Sequence, residues 1–409
     1  LFTSDVLIVG GGQAGATAAI TLRQIGFGGS VTILEATADL PYERPPLSKS
    51  YILGKRNFES NLIRPARFWA EQKISIFTNA AVIAIDPARL QVTLTDGRVI
   101  GFGNLLWAAG GTPRRLTCPG AKLSGIFTLH DKLDADAIAA RLGAPRRAVI
   151  VGGGYIGLEM ASVLRKLGHH VTVLEAQERV LARVAGETLS RFVETEHRAH
   201  GVEVFLNAQL RELHGTNGEV TTAVLADGRE LPADLVVAGI GITPLVAPLL
   251  EAGAAGGNGV EVDEFCATSL PGIYAAGDGA RHRNRFALNE WVRLESVQNA
   301  TDQAITAAHA IAGQSKPYAA LPWFWSNQYD LRLQSAGLNM GHDTTLLRGD
   351  LAARSFSILY LKEGKVIALD CVNCTKDYAA GKPLVLNHAR LDVVRASDNN
   401  IPLKEALAS

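Results

Sequence analysis

The residues best placed to do chemistry are two glycine sets and a cysteine pair. Gly10, Gly12 and Gly15 stand in "VGGGQAGATAAITLRQIGFGGSVTILEA" (9–36), and Gly152, Gly154 and Gly157 in "VGGGYIGLEMASVLRKLGHHVTVLEA" (151–176). Cys371 and Cys374 form a Cys-x-x-Cys in "VIALDCVNCTKDY", a spacing that serves a redox dithiol, half a metal site, or nothing.

Each glycine set follows an apolar run, opens a helical pattern and ends in a β-branched strand closing on Glu35 or Glu175. That is the strand–helix–strand dinucleotide fingerprint. Gly10 allows the tight turn, Gly12 lets a pyrophosphate approach the backbone, and Gly15 lets helix and sheet pack closely. The helix start then offers unpaired N–H groups and a positive dipole end to phosphates. A carboxylate at Glu35 or Glu175 hydrogen-bonds an adenosine ribose. Two such sites imply two dinucleotides, a flavin and a nicotinamide. The charge of Glu175 repels a 2′-phosphate and favours NADH over NADPH, although Arg179 and Arg183 lie close behind it.

These motifs need a large α/β scaffold, and 409 residues are enough for two or three domains with proper cores. Lys plus Arg and Asp plus Glu both count 40, so no basic excess supports binding to nucleic acid. Four scattered cysteines do not make a disulfide framework. No basic-then-apolar leader opens the chain, and no apolar run reaches the roughly 18–20 residues of a membrane span. The expectation is a cytoplasmic protein without membrane attachment.

The stretches "VIGFGNLLWAAGGTPR" (99–114) and "ADLVVAGIGITP" (233–244) are strands running into Gly-rich turns, and they bracket the second fingerprint. The simplest architecture inserts the nicotinamide domain into the flavin domain through a paired crossing near residues 108 and 239. In "TSLPGIYAAGDGA" Asp278 falls at the C-terminal end of a strand, where open α/β sheets bind ligands and a carboxylate accepts from ribitol hydroxyls. "RLESVQNATDQAITAAHAI" reads as a helix beginning near Ser296, its positive end available to a flavin pyrimidine ring. From residue 317 the chain turns aromatic, and "SFSILYLKEGKVIALDCVNC" alternates as an antiparallel sheet would. The expected fold class is α/β: two Rossmann-like dinucleotide-binding domains, glutathione-reductase-like, plus a C-terminal α+β domain. The expected boundaries are 1–108 and 240–316 for FAD, 109–239 for NADH, and 317–409 for the C-terminal domain.

Together "PPLSKSYILGK" (45–55), "VGGGYIGLE", "ADLVVAGIGITP", "GIYAAGDGA", "WVRLESVQNA" and "PWFWSNQYDLRLQ" resemble the putidaredoxin reductase-like family. These are FAD- and NADH-dependent ferredoxin reductases of bacterial haem monooxygenases and ring-hydroxylating dioxygenases, and the resemblance covers nearly the whole chain. It implies an acidic [2Fe-2S] ferredoxin as electron acceptor and a monomer or weak dimer. It implies catalytic roles for Lys49 beside the flavin, for Glu159 paired with it, and for Tyr155 where the nicotinamide enters. Val297 would meet the flavin pyrimidine edge. Further cofactor contacts are expected from Ala14, Arg44, Val82, Ala109 and Gly110, and from Ile156, Arg183 and Gly241. Relatives commonly carry Arg in a "LRTLxDA" stretch, whereas "TLHDKLDADAI" places His130 there, as a cofactor contact or a solvated histidine.

Two other readings compete. A disulfide reductase or NADH oxidase of the same fold needs a cysteine that reaches the flavin, and "DLPYERPPLSKSY" contains none. A binding module like the apoptosis-inducing factors would fit a basic chain better. Cys371 and Cys374 lie outside the segments where flavin-linked dithiols stand, and no neighbouring Cys or His completes a zinc set. They are expected to be small apolar-like residues at a strand end.

Overall fold

A computed structural model describes residues 2–408 of the chain, which fall into two compact units. The first takes in the chain up to Glu43, Phe58–Thr112 and Thr243–Phe324; the second takes in Arg44–Asn57, Pro113–Ile242 and the described residues from Trp325 onward. The chain thus enters the second unit early, for the short stretch that carries Lys49.

The first unit is built on strand Phe2–Val9. Val6 and Ile8 pack into the core on one face of the sheet, Leu7 and Val9 into the core on the other. Burial on both faces explains why the run "VLIV" does not alternate with polar residues. The seven-stranded sheet runs Ile74–Phe77, Val31–Leu34, Phe2–Val9, Val99–Trp107, Gln91–Leu94, Val82–Asp86, with Ile273–Ala275 also pairing Val99–Trp107. Its first four strands and Ile273–Ala275 are parallel, so the turns after Val9, Leu34, Trp107 and Ala275 all lie beyond the same edge. Helices Gln13–Gln24 and Val297–Ile311 share one face, where Ala14, Ala16, Ala18 and Ala19 join Ala300, Ala304, Ala307 and Ala308 in one core. Such small side chains let helix axes approach closely. Ser296 caps the second of these helices, its hydroxyl accepting from Asn299 N–H at 3.1 Å.

The second unit repeats the theme. Val202–Phe205, His170–Leu174, Arg147–Val151, Leu235–Ala238 and Ile126–Thr128 form a parallel sheet in that order, with helix Tyr155–Lys166 following the central strand. The C-terminal residues form a five-stranded antiparallel sheet in the order Trp323–Gln328, Leu331–Gly337, Lys365–Val372, Ser355–Lys362, Thr344–Asp350. It packs on helix Glu187–Ala199, where Phe192 and Phe356 meet edge-on at 4.8 Å. No helix among the described residues is long and apolar enough to cross a membrane.

A buried ion pair closes this sheet. Arg348 Nε lies 2.8 Å from Asp377 Oδ2, and both side chains are nearly inaccessible. Ser357 donates to the same carboxylate oxygen at 3.0 Å. The other guanidinium nitrogens donate to the carbonyls of Ala396, Asp398 and Ile401, tying the C-terminal segment to strand Thr344–Asp350. Truncating one partner strands the other charge in the interior. We expect Arg348→Ala to cost about 3–5 kcal/mol in urea unfolding of the second unit. A loss below about 1 kcal/mol would show the staple to be dispensable.

Candidate functional site

The first fingerprint turn leaves strand Phe2–Val9 at Gly10, whose φ of +101° suits glycine alone. A methyl group there would meet Ala108 O at 2.4 Å, and one at Gly15 would stand 1.9 Å from Gly10 O. Gly12 differs: nothing lies within 4 Å of a Cβ built on it. It is the N-cap of helix Gln13–Gln24, makes no side-chain cap, and has no acidic residue in the turn that follows. An open, uncapped and uncountered helix start fits a pyrophosphate. Glu35 Oε2 accepts Gly11 N–H at 2.7 Å, and its Oε1 accepts Thr37 N–H at 2.9 Å and the Thr37 hydroxyl at 2.8 Å. The carboxylate is thereby fixed beside the turn, with lone pairs left for ribose hydroxyls.

Other candidates gather at this edge of the first unit. Ala109 and Gly110 form the turn after Val99–Trp107, and Gly110 O accepts Leu245 N–H at 2.9 Å. Asp278 follows strand Ile273–Ala275, half-buried, with its carbonyl accepting Arg293 Nη1 at 2.9 Å. Buried Ala14 and half-buried Val297 begin the two adjoining helices. Val82 opens an antiparallel strand, half-buried. Residues that could hold an FAD are therefore present as a set: an open turn at Gly12 for a pyrophosphate, the Glu35 carboxylate for a ribose and the Asp278 carboxylate for a ribitol.

In the second unit the same geometry recurs. Methyl groups at Gly152 and Gly157 would meet Gly239 O at 2.4 Å and Gly152 O at 2.1 Å, while Gly154 faces open space. Gly154 is an uncapped N-cap without first-turn acids. Glu175 Oε2 accepts Gly153 N–H at 2.7 Å and its Oε1 accepts Gln177 N–H at 2.8 Å. Ile156 stands 49 % exposed at the helix start, an apolar surface for a dinucleotide to cover. Arg179 spends its guanidinium on the carbonyls of Ala185 and Ala182, at 2.9 and 3.0 Å. Arg183 is exposed and reaches toward Gly241, whose φ is +96°.

Lys49 and Glu159 meet in this unit. Lys49 sits in the π-type turn Leu47–Tyr51 and breaks it with φ −134°, ψ −106°; such turns are frequent at functional sites. Its Nζ lies 2.6 Å from Glu159 Oε2. The Ser48 hydroxyl donates to that oxygen at 2.6 Å, and the Ser326 hydroxyl donates to Oε1 at 2.7 Å. Glu159 is 4 % exposed, so its charge is held by one ammonium and two hydroxyls instead of water. One helical turn earlier, Tyr155 shares a hydrogen bond with Ser335, and burial pushes its hydroxyl pKa up, with the nearby Asp370 charge adding to the shift. Ser335 and Tyr360 donate to the two oxygens of buried Asp370 at 2.6 and 2.7 Å, and burial pushes that carboxyl upward.

Arg44 donates to His130 Nε2, so the imidazole accepts and stays neutral; burial and the guanidinium hold its pKa down at about 4. His130 therefore stands with Arg44 and the Asp134 carboxylate, which accepts its backbone N–H at 2.9 Å. Sequence reasoning missed Ser48, Ser326, Gln328 and His197 around Glu159. The first three lie inside quoted motifs, but no local spacing marks them. The cysteines stay apart from all this. Cys371 is buried with its thiol beside Ser357 at 3.4 Å and its pKa raised by burial, and Cys374 stands at the N-terminal boundary of helix Thr375–Leu386 without a capping hydrogen bond. Among the described residues no His/Cys/Asp/Glu group could hold a metal ion.

Comparison with known proteins covers the whole chain. Residues 4–304 match the family described as pyridine nucleotide-disulphide oxidoreductase, and residues 323–407 match a reductase C-terminal family. The chain is 54% identical to the 5,5′-dehydrodivanillate O-demethylase ferredoxin reductase subunit of a Sphingobium species, covering 99% of this chain and 98% of that one. It is 52% identical to a Sphingomonas ferredoxin–NAD(P)(+) reductase, over 98% and 97%. The fold is similar to that in the crystal structure of the covalent putidaredoxin reductase–putidaredoxin complex, with a TM-score of 0.95, 38% identity and 98% of each chain covered.

Three histidines, His197 and His282 buried and His130 half-buried, should make the fold sensitive to acid. His130, His197 and His282 all have pKa values lowered to about 4, chiefly by burial, against an ordinary 6.5. Between those values the unfolded chain binds more protons than the folded one. Their contribution to stability is complete above about pH 6.5 and is lost as pH falls toward 4. His130→Gln keeps an acceptor for Arg44 without titrating, so its acid-unfolding midpoint should lie at lower pH than wild type by circular dichroism. Coincident acid curves would remove His130 from this account.

Proposed function

The chain belongs to the pyridine nucleotide-disulphide oxidoreductase family, in its putidaredoxin reductase-like branch, and from that premise we propose that it carries electrons from NADH through FAD to a [2Fe-2S] ferredoxin of an oxygenase system. The observation that carries the reading is the duplicated turn. Each unit has an open, uncapped helix start with a glutamate braced on its own glycine loop. One dinucleotide site would serve many enzymes; two, with similarity along the full chain, call for a flavin and a nicotinamide.

Bound FAD supplies the redox chemistry, taking an electron pair from NADH and releasing single electrons to a carrier. The overall reaction converts NADH and two oxidised ferredoxins into NAD⁺, one proton and two reduced ferredoxins. The protein's part is binding, orientation and electrostatics. The Gly10–Gly15 turn and Glu35 would hold the adenosine and pyrophosphate of FAD, and Asp278 would hold its ribitol. The Gly152–Gly157 turn and Glu175 would hold the nicotinamide dinucleotide, with Ile156 packing against it. On the family resemblance, Lys49, held by Glu159, would offer its ammonium to the flavin, and Tyr155 would stand where the nicotinamide enters. Arg44, braced by His130, offers a cation to a cofactor phosphate.

Glu175 supports NADH over NADPH. Its charge opposes a 2′-phosphate, and Arg179 is occupied by backbone carbonyls instead of answering that charge. The carrier is read as acidic and the reaction as cytoplasmic, on the relatives' functions alone. A disulfide reductase fits less well, because Cys371 is buried with a raised thiol pKa and "DLPYERPPLSKSY" carries no cysteine.

Purified protein should be yellow with bound flavin and should drive ferredoxin-dependent cytochrome c reduction with NADH at least about tenfold better than with NADPH, about 1.4 kcal/mol of discrimination. Colourless protein after FAD reconstitution would end the reading. Glu175→Ser should narrow the cofactor ratio by raising the KM for NADH, and an unchanged ratio would remove Glu175 from specificity. Raising salt should slow ferredoxin reduction while NADH–ferricyanide turnover holds steady, if the carrier is acidic. Replacing Cys371 and Cys374 together with Ser should leave turnover within about twofold, about 0.4 kcal/mol on the barrier; lost turnover with flavin still bound would restore the dithiol.

A further inference from the structure

The hydrogen bonds around Ser326 have a direction. Ser326, Gln328 and His197 are all essentially inaccessible, at 0%, 0% and 1% exposure. Gln328 Nε2 donates to Ser326 Oγ at 3.2 Å, so the serine proton is left to point at Glu159 Oε1, 2.7 Å away. Gln328 Oε1 lies 2.8 Å from His197 Nε2 and must accept from it. The other ring nitrogen, Nδ1, then accepts from the Tyr329 hydroxyl at 3.1 Å. This requires a neutral imidazole with its proton on Nε2, consistent with its deep burial. Tyr329, His197, Gln328 and Ser326 therefore form one chain of donors, each aimed at the next and the last aimed at Glu159.

Nothing in the chain runs the other way. A buried amide, imidazole and hydroxyl would each be costly if unpaired. Here each is satisfied by its neighbour, and the order leaves a single donor for the carboxylate. Water cannot substitute, because the serine and glutamine side chains are closed off. On the other oxygen of Glu159 stand Lys49 at 2.6 Å and Ser48 at 2.6 Å. Without Ser326 the carboxylate would keep partners on Oε2 only and could rotate about its last bond, taking Lys49 with it.

We infer that Ser326 is a positioning residue for the Lys49–Glu159 pair, and that the donor chain from Tyr329 through His197 and Gln328 exists to aim its hydroxyl. The inference deepens the proposed function and rests on its reading of Lys49 as the cation at the flavin. A strand of the C-terminal sheet thereby acts on the redox site through a carboxylate 167 residues away.

The test uses FAD-loaded protein and NADH. Flavin content, thermal midpoint, flavin midpoint potential and anaerobic stopped-flow reduction are measured for wild type, Ser326→Ala, Ser326→Thr, Gln328→Met and Lys49→Met. Losing a hydrogen bond to a charged group should lower the limiting reduction rate of Ser326→Ala by about tenfold or more. The Kd for NADH should stay within about twofold, and Ser326→Thr should recover the rate. The potential should become more negative by about 30 mV, equivalent to tenfold in a two-electron equilibrium. Gln328→Met leaves the serine but frees its proton, so it should move rate and potential the same way by less. That variant also answers the question if Ser326→Ala fails to fold.

Wild-type rate and potential in Ser326→Ala, or in Gln328→Met if only that folds, would overturn the inference. Equal loss in Ala and Thr would do so too, since a hydroxyl would not then be the active feature. Lys49→Met separates the two levels. If it shifts the potential while Ser326→Ala does not, only the role of Ser326 fails. If neither shifts it, the reading of Lys49 fails as well.

Discussion

Both dinucleotide turns depend on how closely backbone can approach backbone at the start of a helix. A methyl group at Gly15 or Gly157 would stand 1.9 or 2.1 Å from the carbonyl of the turn's first glycine, closer than any van der Waals contact permits. Removing side chains there lets the helix begin directly on the strand end. Its first N–H groups then face outward, with no cap and no acid to answer them. The glutamate closing the next strand completes the geometry, since one of its oxygens accepts the N–H of the middle loop glycine. The same carboxylate thus shapes the cradle and sets the charge beside it. Changing the glutamate to alter cofactor choice must therefore also disturb the loop.

The second constraint is a buried charge. Glu159 lies on a helix that the fingerprint turn itself launches, four residues after Tyr155. At 4 % exposure its carboxylate has lost most of its hydration, and such a loss is tolerable only with well-placed donors. Those donors come from the Leu47–Tyr51 turn and from strand Trp323–Gln328, two stretches far apart in sequence. This gives a physical reason for residues 44–57 to group with the second unit. A lysine, two serines and a carboxylate that must meet without water cannot tolerate a loosely placed segment.

How much of this was legible depends on the range of the interaction. The glycine turns follow from spacing within six residues, and the strand ends at Trp107 and Ala275 follow from apolar runs broken by Gly-rich turns. The antiparallel C-terminal sheet and the Ser296 cap are equally local. Lys49 and Glu159 carried no local mark, and only resemblance to a family singled them out. Ser326 was hidden further, because one serine in an aromatic strand looks like a solvent-facing position. Arg179 shows the opposite error. Its place behind Glu175 suggested a free cation for a phosphate, yet the loop wraps so that carbonyls of Ala182 and Ala185 take up its donors. Loop wrapping is a tertiary fact with no short-range signature.

The cysteine pair and the serine make an instructive contrast. Cys371 and Cys374 have the reactive atoms and a suggestive spacing, but one is interior to a strand and the other stands at the start of a helix. Burial keeps the Cys371 thiol protonated, which removes the species that would react. Ser326 has an unreactive hydroxyl and no motif, yet a relay of donors fixes where its proton points. In a flavin enzyme the cofactor brings the reactivity, so the protein gains more from oriented charge than from nucleophiles. By that logic the C-terminal sheet contributes through the side chain with the weaker chemistry and the better-defined direction.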